Sequence, residues 1–425
     1  MPANLRSYFY FVGKKTFTRL LWLIGDPIGR FEYSPDLLTF NKNSKPKRVQ
    51  RSITGILISA DHEICSDVLK SPNWLSRPFA ERLYLGAGGY EPGVIHPFLD
   101  SIIALDGADQ RRIKKVMYAA FSPAETNRWR KTCEIQMKNL IEQVKNEEAF
   151  DFVSSFSNPL PLEVICKIIG VPREYIEQCN RWGRTLAGIG LDLPKNNTEL
   201  GELEKAATEL TELISKLLQE RKKSPKKDLL SVMLEADSEG QKLEDSEIIA
   251  SAAFTLIAGF ETTMNLFSVG TLLLLENPDQ LELLSKKPDL IPNFIEEALR
   301  LTSPIQFVVR TAETNQILTD GTKVRKGQTI ILNLASANRD PKVFKKPNDF
   351  DIQRENAKKN VSFGFGAHHC IGSILARVEA EVFWQELLSG YPDVSGWKLS
   401  GEPIYEKSKL IRSISRLPVS LQDRG

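Results

Sequence analysis

The chain has 425 residues, with 56 lysines and arginines against 54 aspartates and glutamates, a net charge of +2. Its 41% hydrophobic and 26% charged residues exclude disordered, collagen-like and low-complexity classes, and the near-neutral balance argues against a nucleic-acid partner. Five cysteines and four histidines exclude a disulfide scaffold and leave few candidates for a metal site.

The N-terminus does not read as a signal peptide: Lys14-Lys15 interrupts the apolar run Tyr8-Phe9-Tyr10-Phe11-Val12 after Arg6, and no small-residue cleavage site follows. Leu20 to Ile24 is apolar but too short to span a bilayer. Such a basic, aromatic segment either lies on a membrane surface or forms a first helix packed on the body, and the packed helix is the expectation. Gly55-Ile56-Leu57-Ile58 is β-like. Apolar spacing then predicts helices over Ala108–Ala120, Ala124–Gln143, Leu162–Ile169, Arg173–Leu186 and Glu199–Arg221. The longest apolar stretch, Ile248 to Leu275, has Glu261 in its middle. The charge-free runs on either side fall below the ~18 residues of a membrane span, so a central helix of a soluble protein is expected, with no transmembrane span. Ser246-Glu247 opens it and Asn277-Pro278 closes it.

Another helix is expected over Asp289–Arg300, then strands over Ile305–Ala312, Ile317–Val324 with a turn at Asp320-Gly321, and Thr329–Asn333. Asp340 to Ser362 is polar and lacks a period. A helix resumes from about Ile371 to Ser389, and Leu410 to Leu421 alternates like a hairpin strand. The chain is mainly α with a small β part, an α+β class, and no boundary divides it. One domain over 1–425 is expected. Scattered cysteines (Cys65, Cys133, Cys166, Cys179, Cys370) without an export signal point to the cytoplasm.

The most informative segment is Phe363-Gly364-Phe365-Gly366-Ala367-His368-His369-Cys370-Ile371-Gly372. Glycines let the backbone turn tightly beside a flat ligand, and a helix start favours a thiolate by lowering its pKa. Such a thiolate suits the axial position of haem iron. Other uses stay open at the level of residues alone. A zinc site lacks the CxxC or spaced histidine pair that would complete four ligands. A Cys–His nucleophile would use His368 or His369 as base. A buried structural cysteine would not account for the surrounding glycines and aromatics.

The segment resembles the haem loop of the cytochrome P-450 superfamily, Phe-x-x-Gly-x-(Arg/His)-x-Cys-x-Gly, with Phe363, Gly366, His368, Cys370 and Gly372 at its fixed positions. The resemblance implies a P-450 fold around a buried haem b, with Cys370 as the iron's axial ligand, Phe363 shielding the sulfur and His368 on a propionate. Ala258-Gly259-Phe260-Glu261-Thr262-Thr263 is similar to the family's oxygen-binding motif. Glycine and threonine there favour a local distortion of the helix. By resemblance Ala258 and Gly259 adjoin the haem, Thr262 holds O2 in place and Glu261 relays protons to it.

Glu297 and Arg300 match the family's buried Glu-x-x-Arg pair. The arginine that often completes it is replaced by Asp349 in Pro347-Asn348-Asp349-Phe350. Arg310 matches a propionate-binding arginine. The usual His-x-x-x-Arg of an early helix is replaced by Gln110 and Lys114, which share one helix face. By resemblance the substrate pocket draws on the loop from Leu83 to Leu105 (Ile102 within it), Phe254, Ile257, Ile305, Leu410 and Ile411, so an apolar terpenoid, steroid or fatty acid is expected. Gly86-Ala87-Gly88-Gly89 is either an entrance gate or a surface turn.

No fused flavin or iron–sulfur pattern is present. The expected electron donor is therefore a separate ferredoxin with its reductase, fed by NAD(P)H. It would dock on a basic face formed from Arg111, Arg112, Lys115, Lys345, Lys346, Lys358, Lys359 and Arg377. A monomer is expected. The resemblance implies a haem-thiolate monooxygenase that hydroxylates its substrate. A peroxide-driven peroxygenase and a non-catalytic haem gas binder are the alternatives. The resemblance runs from about residue 50 to Leu417-Pro418-Val419, and residues 1–30 are its less typical part.

Overall fold

The computed structural model describes residues 15–33, 48–81, 95–190, 196–238, 241–406 and 408–421. Arg6, the Tyr8–Val12 run, Lys14 and the Gly86–Gly89 turn lie outside these.

The helices in chain order are α1 (15–23), α2 (Pro27–Tyr33), α3 (His62–Lys70), α4 (Gly107–Tyr118), α5 (Pro123–Val144), α6 (Pro159–Ile169), α7 (Ile176–Thr185), α8 (Asn197–Lys223), α9 (Leu229–Glu235), α10 (Asp245–Glu276), α11 (Pro278–Lys286), α12 (Ile291–Thr302), α13 (Leu334–Ala337) and α14 (Ser373–Gly390). The predicted Arg173–Leu186 helix is subdivided. It opens with a 3-10 turn at Arg173–Tyr175, runs as α7, and ends in a π-turn at Leu186–Gly190.

The length of α10 follows from its sequence. It is apolar on every side, so it is stable only when surrounded by protein, and α6, α8, α12 and α14 pack around it. Its start is a capping box: the Glu244 side chain accepts from the N3 backbone, and Glu247 reaches back to the Glu244 N–H. The helix runs unbroken. Thr262 and Thr263 turn their hydroxyls onto the carbonyls of Ala258 and Gly259, at 2.8 and 3.1 Å. These bonds use up the hydroxyls, and the helix stays continuous across them. On the far side Phe267 stacks on Phe383 of α14 at 4.1 Å, and Trp384 meets Phe294 of α12 edge-on at 4.6 Å. This cluster fixes the three helices to each other.

The main sheet joins β1 (Val49–Arg51), β2 (Leu57–Ser59), β3 (Trp74–Leu75), β5 (Phe307–Ala312) and β8 (Thr329–Asn333) in the order β1-β2-β8-β5-β3, with only β2 and β8 parallel. The predicted strand over Ile317–Val324 is a small hairpin, β6 (Gln316–Ile317) with β7 (Lys323–Val324), around the Asp320-Gly321 turn. The predicted tail strand is two strands in two different sheets. In one, β11 (Ile414–Arg416) pairs with β10 (Ile404–Tyr405). In the other, β12 (Pro418–Ser420) lies between β4 (Phe150–Asp151) and β9 (Lys398–Leu399). The switch falls at Leu417, whose carbonyl accepts from Phe152 N–H while its own N–H donates to Asp151.

Candidate active site

The cysteine loop joins the polar 340–362 stretch to α14. Its turn needs glycine at position 366: φ is +68°, and a Cβ there would lie 2.5 Å from the Leu69 carbonyl oxygen at the end of α3. The Cys370 N–H donates to the Phe363 carbonyl at 3.0 Å, closing the loop. Cys370 sits three residues before α14, and Gly372 at the helix cap has nothing within 4 Å of where a Cβ would stand.

Cys370 is exposed by surface area, yet protein atoms surround it. The two facts agree if the thiol stands on the wall of an internal cleft. Burial pushes the thiol up, against the Gly372 N–H and the positive charges of Lys114 and Arg377, which pull it down. The helix start therefore does not produce a thiolate by itself. Desolvation outweighs one N–H bond and two cations. A thiol in this state ionises when it binds a metal.

The neighbours of the loop hold it in place. His368 Nε2 stands 3.0 Å from Asp106 Oδ1 and 3.3 Å from Ser76 Oγ. Asp106 also accepts from the Ser76 and Arg77 N–H groups. These bonds hold its carboxyl below the ordinary range despite the opposing cost of its partial burial. Lys114 Nζ donates to the Ala367 and His369 carbonyls at 2.6 and 2.8 Å, and Gln110 Nε2 donates to Ala367 at 2.8 Å. Through these contacts His368, Lys114 and Gln110 fasten the loop to α4 and the β3 end. Gln110 Oε1 remains buried without a partner.

Arg310 is different. On β5, buried, its guanidinium has one hydrogen bond, from Nη1 to the Val309 carbonyl at 2.8 Å, and burial pulls its pKa down to about 10, with Asp106 opposing. A buried cation with so few partners is costly unless an anion meets it. An exposed soft sulfur and an under-bonded arginine suit an iron porphyrin with carboxylates. Cys370 would bind the metal, and Arg310 would take a carboxylate, as would the N–H that Lys114 has spare. Gly259 does not belong to this set. Its missing side chain is where Ile165 of α6 sits, 2.7 Å from a hypothetical Cβ, so it brings two helices together.

On α10, Phe254, Ala258 and Thr262 are partly exposed in an otherwise buried stretch, and their spacing of four puts them on one face. Phe98, from the segment before α4, meets Phe254 edge-on at 6.1 Å. Ile257 and Ile102 are buried. Ile305 bridges to Ile411, and the Gln306 N–H donates to the Leu410 carbonyl at 2.8 Å, so this C-terminal turn is held against the start of β5.

Glu261 is buried. Its Oε1 accepts from Ser413 Oγ at 3.2 Å and its Oε2 is unpartnered. Burial raises its pKa, with Arg184 opposing. Arg184 in turn pairs with Glu406 at 3.2 Å, and the Glu406 N–H donates to the Ser413 carbonyl. A polar strip thus leads from Glu261 towards the surface. Ser413, Arg184 and Glu406 carry no motif, and only their fold neighbours reveal them.

Glu297 and Arg300 form a buried bidentate pair, 2.7 and 2.8 Å. The third member is Arg354, whose Nε donates to Glu297 at 3.0 and 3.1 Å. Asp349 contributes only its carbonyl, accepting from Arg300 and Arg354. Of the basic residues expected to form a docking face, Arg112 is tied to Glu247 and Asp109. Arg377 pairs with Glu296 at 2.6 Å and lies over the Phe363 ring. Arg111, Lys345, Lys346, Lys358 and Lys359 are exposed.

The sequence model of the family described as Cytochrome P450 matches residues 182–287 and 284–410. The chain belongs to the cytochrome P450 family. Among its relatives are the polyketide biosynthesis cytochrome P450 PksS of Bacillus subtilis, 32% identical over 76% of this chain and 78% of the relative, and the 6-deoxyerythronolide B hydroxylase of Saccharopolyspora erythraea, 31% identical over 78% and 81%. The crystal structure of P450BioI with an acyl carrier protein ligated to hexadec-9Z-enoic acid superposes with a TM-score of 0.78, at 31% identity over 86% of this chain and 92% of that one. Enzymes of this family use haem, and the chain is accordingly a cytochrome P450 monooxygenase of the bacterial type.

Proposed function

We propose that this P450 hydroxylates an apolar organic substrate, a terpenoid, steroid or fatty acid, with haem b held by Cys370 and electrons delivered by a separate ferredoxin in the cytoplasm. The observation that carries the reading is the Cys370 thiol, exposed amid protein atoms, with the buried, under-bonded Arg310 guanidinium close enough to act on His368 of the same loop. Haem, when bound, supplies activation of O2 and transfer of one oxygen atom to a C–H bond. The chain's own residues do the rest. Cys370 gives the thiolate, and Gly372 N–H, Lys114 and Arg377 favour its charge. Arg310 meets a propionate. Gly366 sets the height of the loop, and Phe363, under Arg377, covers one side of it. Thr262 holds its hydroxyl on the partly open face of α10, and Glu261 holds a proton that Ser413 and the Arg184–Glu406 pair connect outward.

Phe254, Ile257, Ile102, Ile305, Leu410 and Ile411 give the pocket an apolar wall, which favours a substrate without charge. The names of two relatives, a polyketide enzyme and a hydroxylase, and the fatty-acyl chain in the P450BioI structure fit such a substrate. With Arg112 and Arg377 committed to internal pairs, a ferredoxin would meet Arg111, Lys345, Lys346, Lys358 and Lys359. Replacing Lys358 and Lys359 with Glu should slow reduction and weaken its salt dependence; unchanged rates would refute the docking face. The deciding experiment for haem is the carbon monoxide difference spectrum of the reduced protein. The red-shifted Soret band of a thiolate-ligated haem is expected, and lost in Cys370→Ala. A wild-type spectrum without it, or a variant that keeps it, overturns the assignment.

A further inference from the structure

Leu21 is the one residue of α1 that is buried; the backbone at Leu21 and Trp22 rests on Gly29 of α2, so closely that a Cβ there would overlap it. This seat fixes which side of the helix faces out. Phe17, Leu20, Trp22, Leu23 and Ile24 are each between 48 and 67% exposed. Phe17, Leu20 and Ile24 recur at spacings of three and four, so they share a face, with Leu23 at its edge. Ile53 extends the patch: it is 74% exposed, and its N–H is held by Asp26 just past the end of α1. Scattered exposed apolar residues are ordinary, but a contiguous group on a fixed helix marks a surface that is covered in use. The first helix is therefore packed on the body through Leu21, the Trp22 backbone and the Trp22–Tyr33 ring contact, and the face of Phe17, Leu20 and Ile24 is left outside that packing.

Charge identifies the cover. Lys15 and Arg19 are exposed, and at helical spacing Arg19 flanks the apolar face beside Leu23. The first 25 residues contain Arg6, Lys14, Lys15 and Arg19 and no acid, whereas the whole chain has a net charge of only +2. An apolar helix face bordered by cations, preceded in sequence by Tyr8-Phe9-Tyr10-Phe11, is the pattern of a helix lying in the interface of an anionic bilayer. A second copy of this chain would present the same cations to each other, which disfavours a symmetric contact.

We infer that α1 docks this P450 peripherally on anionic lipid, with Phe17, Leu20, Leu23 and Ile24 in the acyl boundary and Lys15 and Arg19 at the headgroups. The enzyme would thereby sit at the phase in which apolar substrates dissolve; that consequence rests on the proposed substrate class, but the binding does not. The test is flotation of the full-length protein with phosphatidylglycerol-containing vesicles and with pure phosphatidylcholine vesicles. Binding to the anionic vesicles is expected, decreasing with salt. Replacing Lys15 and Arg19 with Gln should weaken it about thirtyfold, and the Leu20→Glu, Leu23→Glu double variant should abolish it while leaving the circular dichroism and the carbon monoxide spectrum intact. Equal binding to both vesicle types would overturn the inference. So would undiminished binding of the Glu variant, or no vesicle binding together with a dimer that the Glu variant dissociates.

Discussion

Glu261 holds the only carboxyl in the middle of α10, and burial raises its pKa, which favours the protonated form that the proposed proton path needs. Activity should then fall as pH rises through its folded pKa, because the protonated form is lost. Glu261→Gln should remove that alkaline limb and lower kcat about a hundredfold; a variant with the wild-type pH profile would take Glu261 out of the proton path. Thr262 sits on the other, partly open side. Thr262→Ala should leave substrate binding intact and uncouple the cycle, so that more of the NADPH consumed appears as hydrogen peroxide. Unaltered coupling would assign Thr262 to helix geometry alone.

The elements around the cysteine loop set its stability. The loop is clamped from three directions: by α3 under Gly366, by α4 through Lys114 and Gln110, and by the β3 end through Asp106. The Asp106 carboxyl is held below its ordinary value, so the sign is that of a depressed acid. Its contribution is complete above the unfolded pKa near 3.8 and is lost as pH falls below it. Asp106→Asn should therefore lower stability at neutral pH and flatten the acid limb of a thermal-shift profile below about pH 4; an unchanged acid limb would show that the clamp is not electrostatic. Gly366→Ala meets both left-handed strain and the Leu69 carbonyl, and should cost about 2–4 kcal/mol in denaturant unfolding. A loss near zero would mean that the end of α3 moves freely.

At the scale of the whole molecule, the helices around α10 were legible because apolar period and capping residues are local signals. So was the cysteine loop, whose glycine spacing is a consequence of one tight turn. What escaped depends on chain distance. Arg354 lies in a stretch without period, five residues beyond the position where a triad arginine was sought, and only folding brings it to Glu297. Asp106 and Ser413 are ordinary polar residues until the neighbours that they serve are known. The bonds of Lys114 and Gln110 to the loop carbonyls were not legible either, because a side chain's nearest acceptor is not written in its own segment. Arg354→Ala leaves Glu297 and several carbonyls short of a donor in a dry interior, and should cost about 3–5 kcal/mol; calorimetry giving less than about 1 kcal/mol would show that Arg300 alone suffices.

The same two arginines give the 340–362 stretch an unusual constraint. Arg300 reaches the carbonyls of Asn338, Pro347 and Asp349, and Arg354 those of Lys345, Lys346 and Asp349. Most of what these two arginines grip is backbone, although Arg300 also lies over the buried Phe344 ring. Away from buried positions such as Asp340, Phe344 and Ile352, residue type along the stretch is then free to drift during evolution, while its length is not. A single inserted residue between Asn338 and Arg354 would carry every later carbonyl past its donor. Surface connections usually accept such insertions; this one should reject them, and a library of one-residue insertions screened for folded protein should show a gap across it.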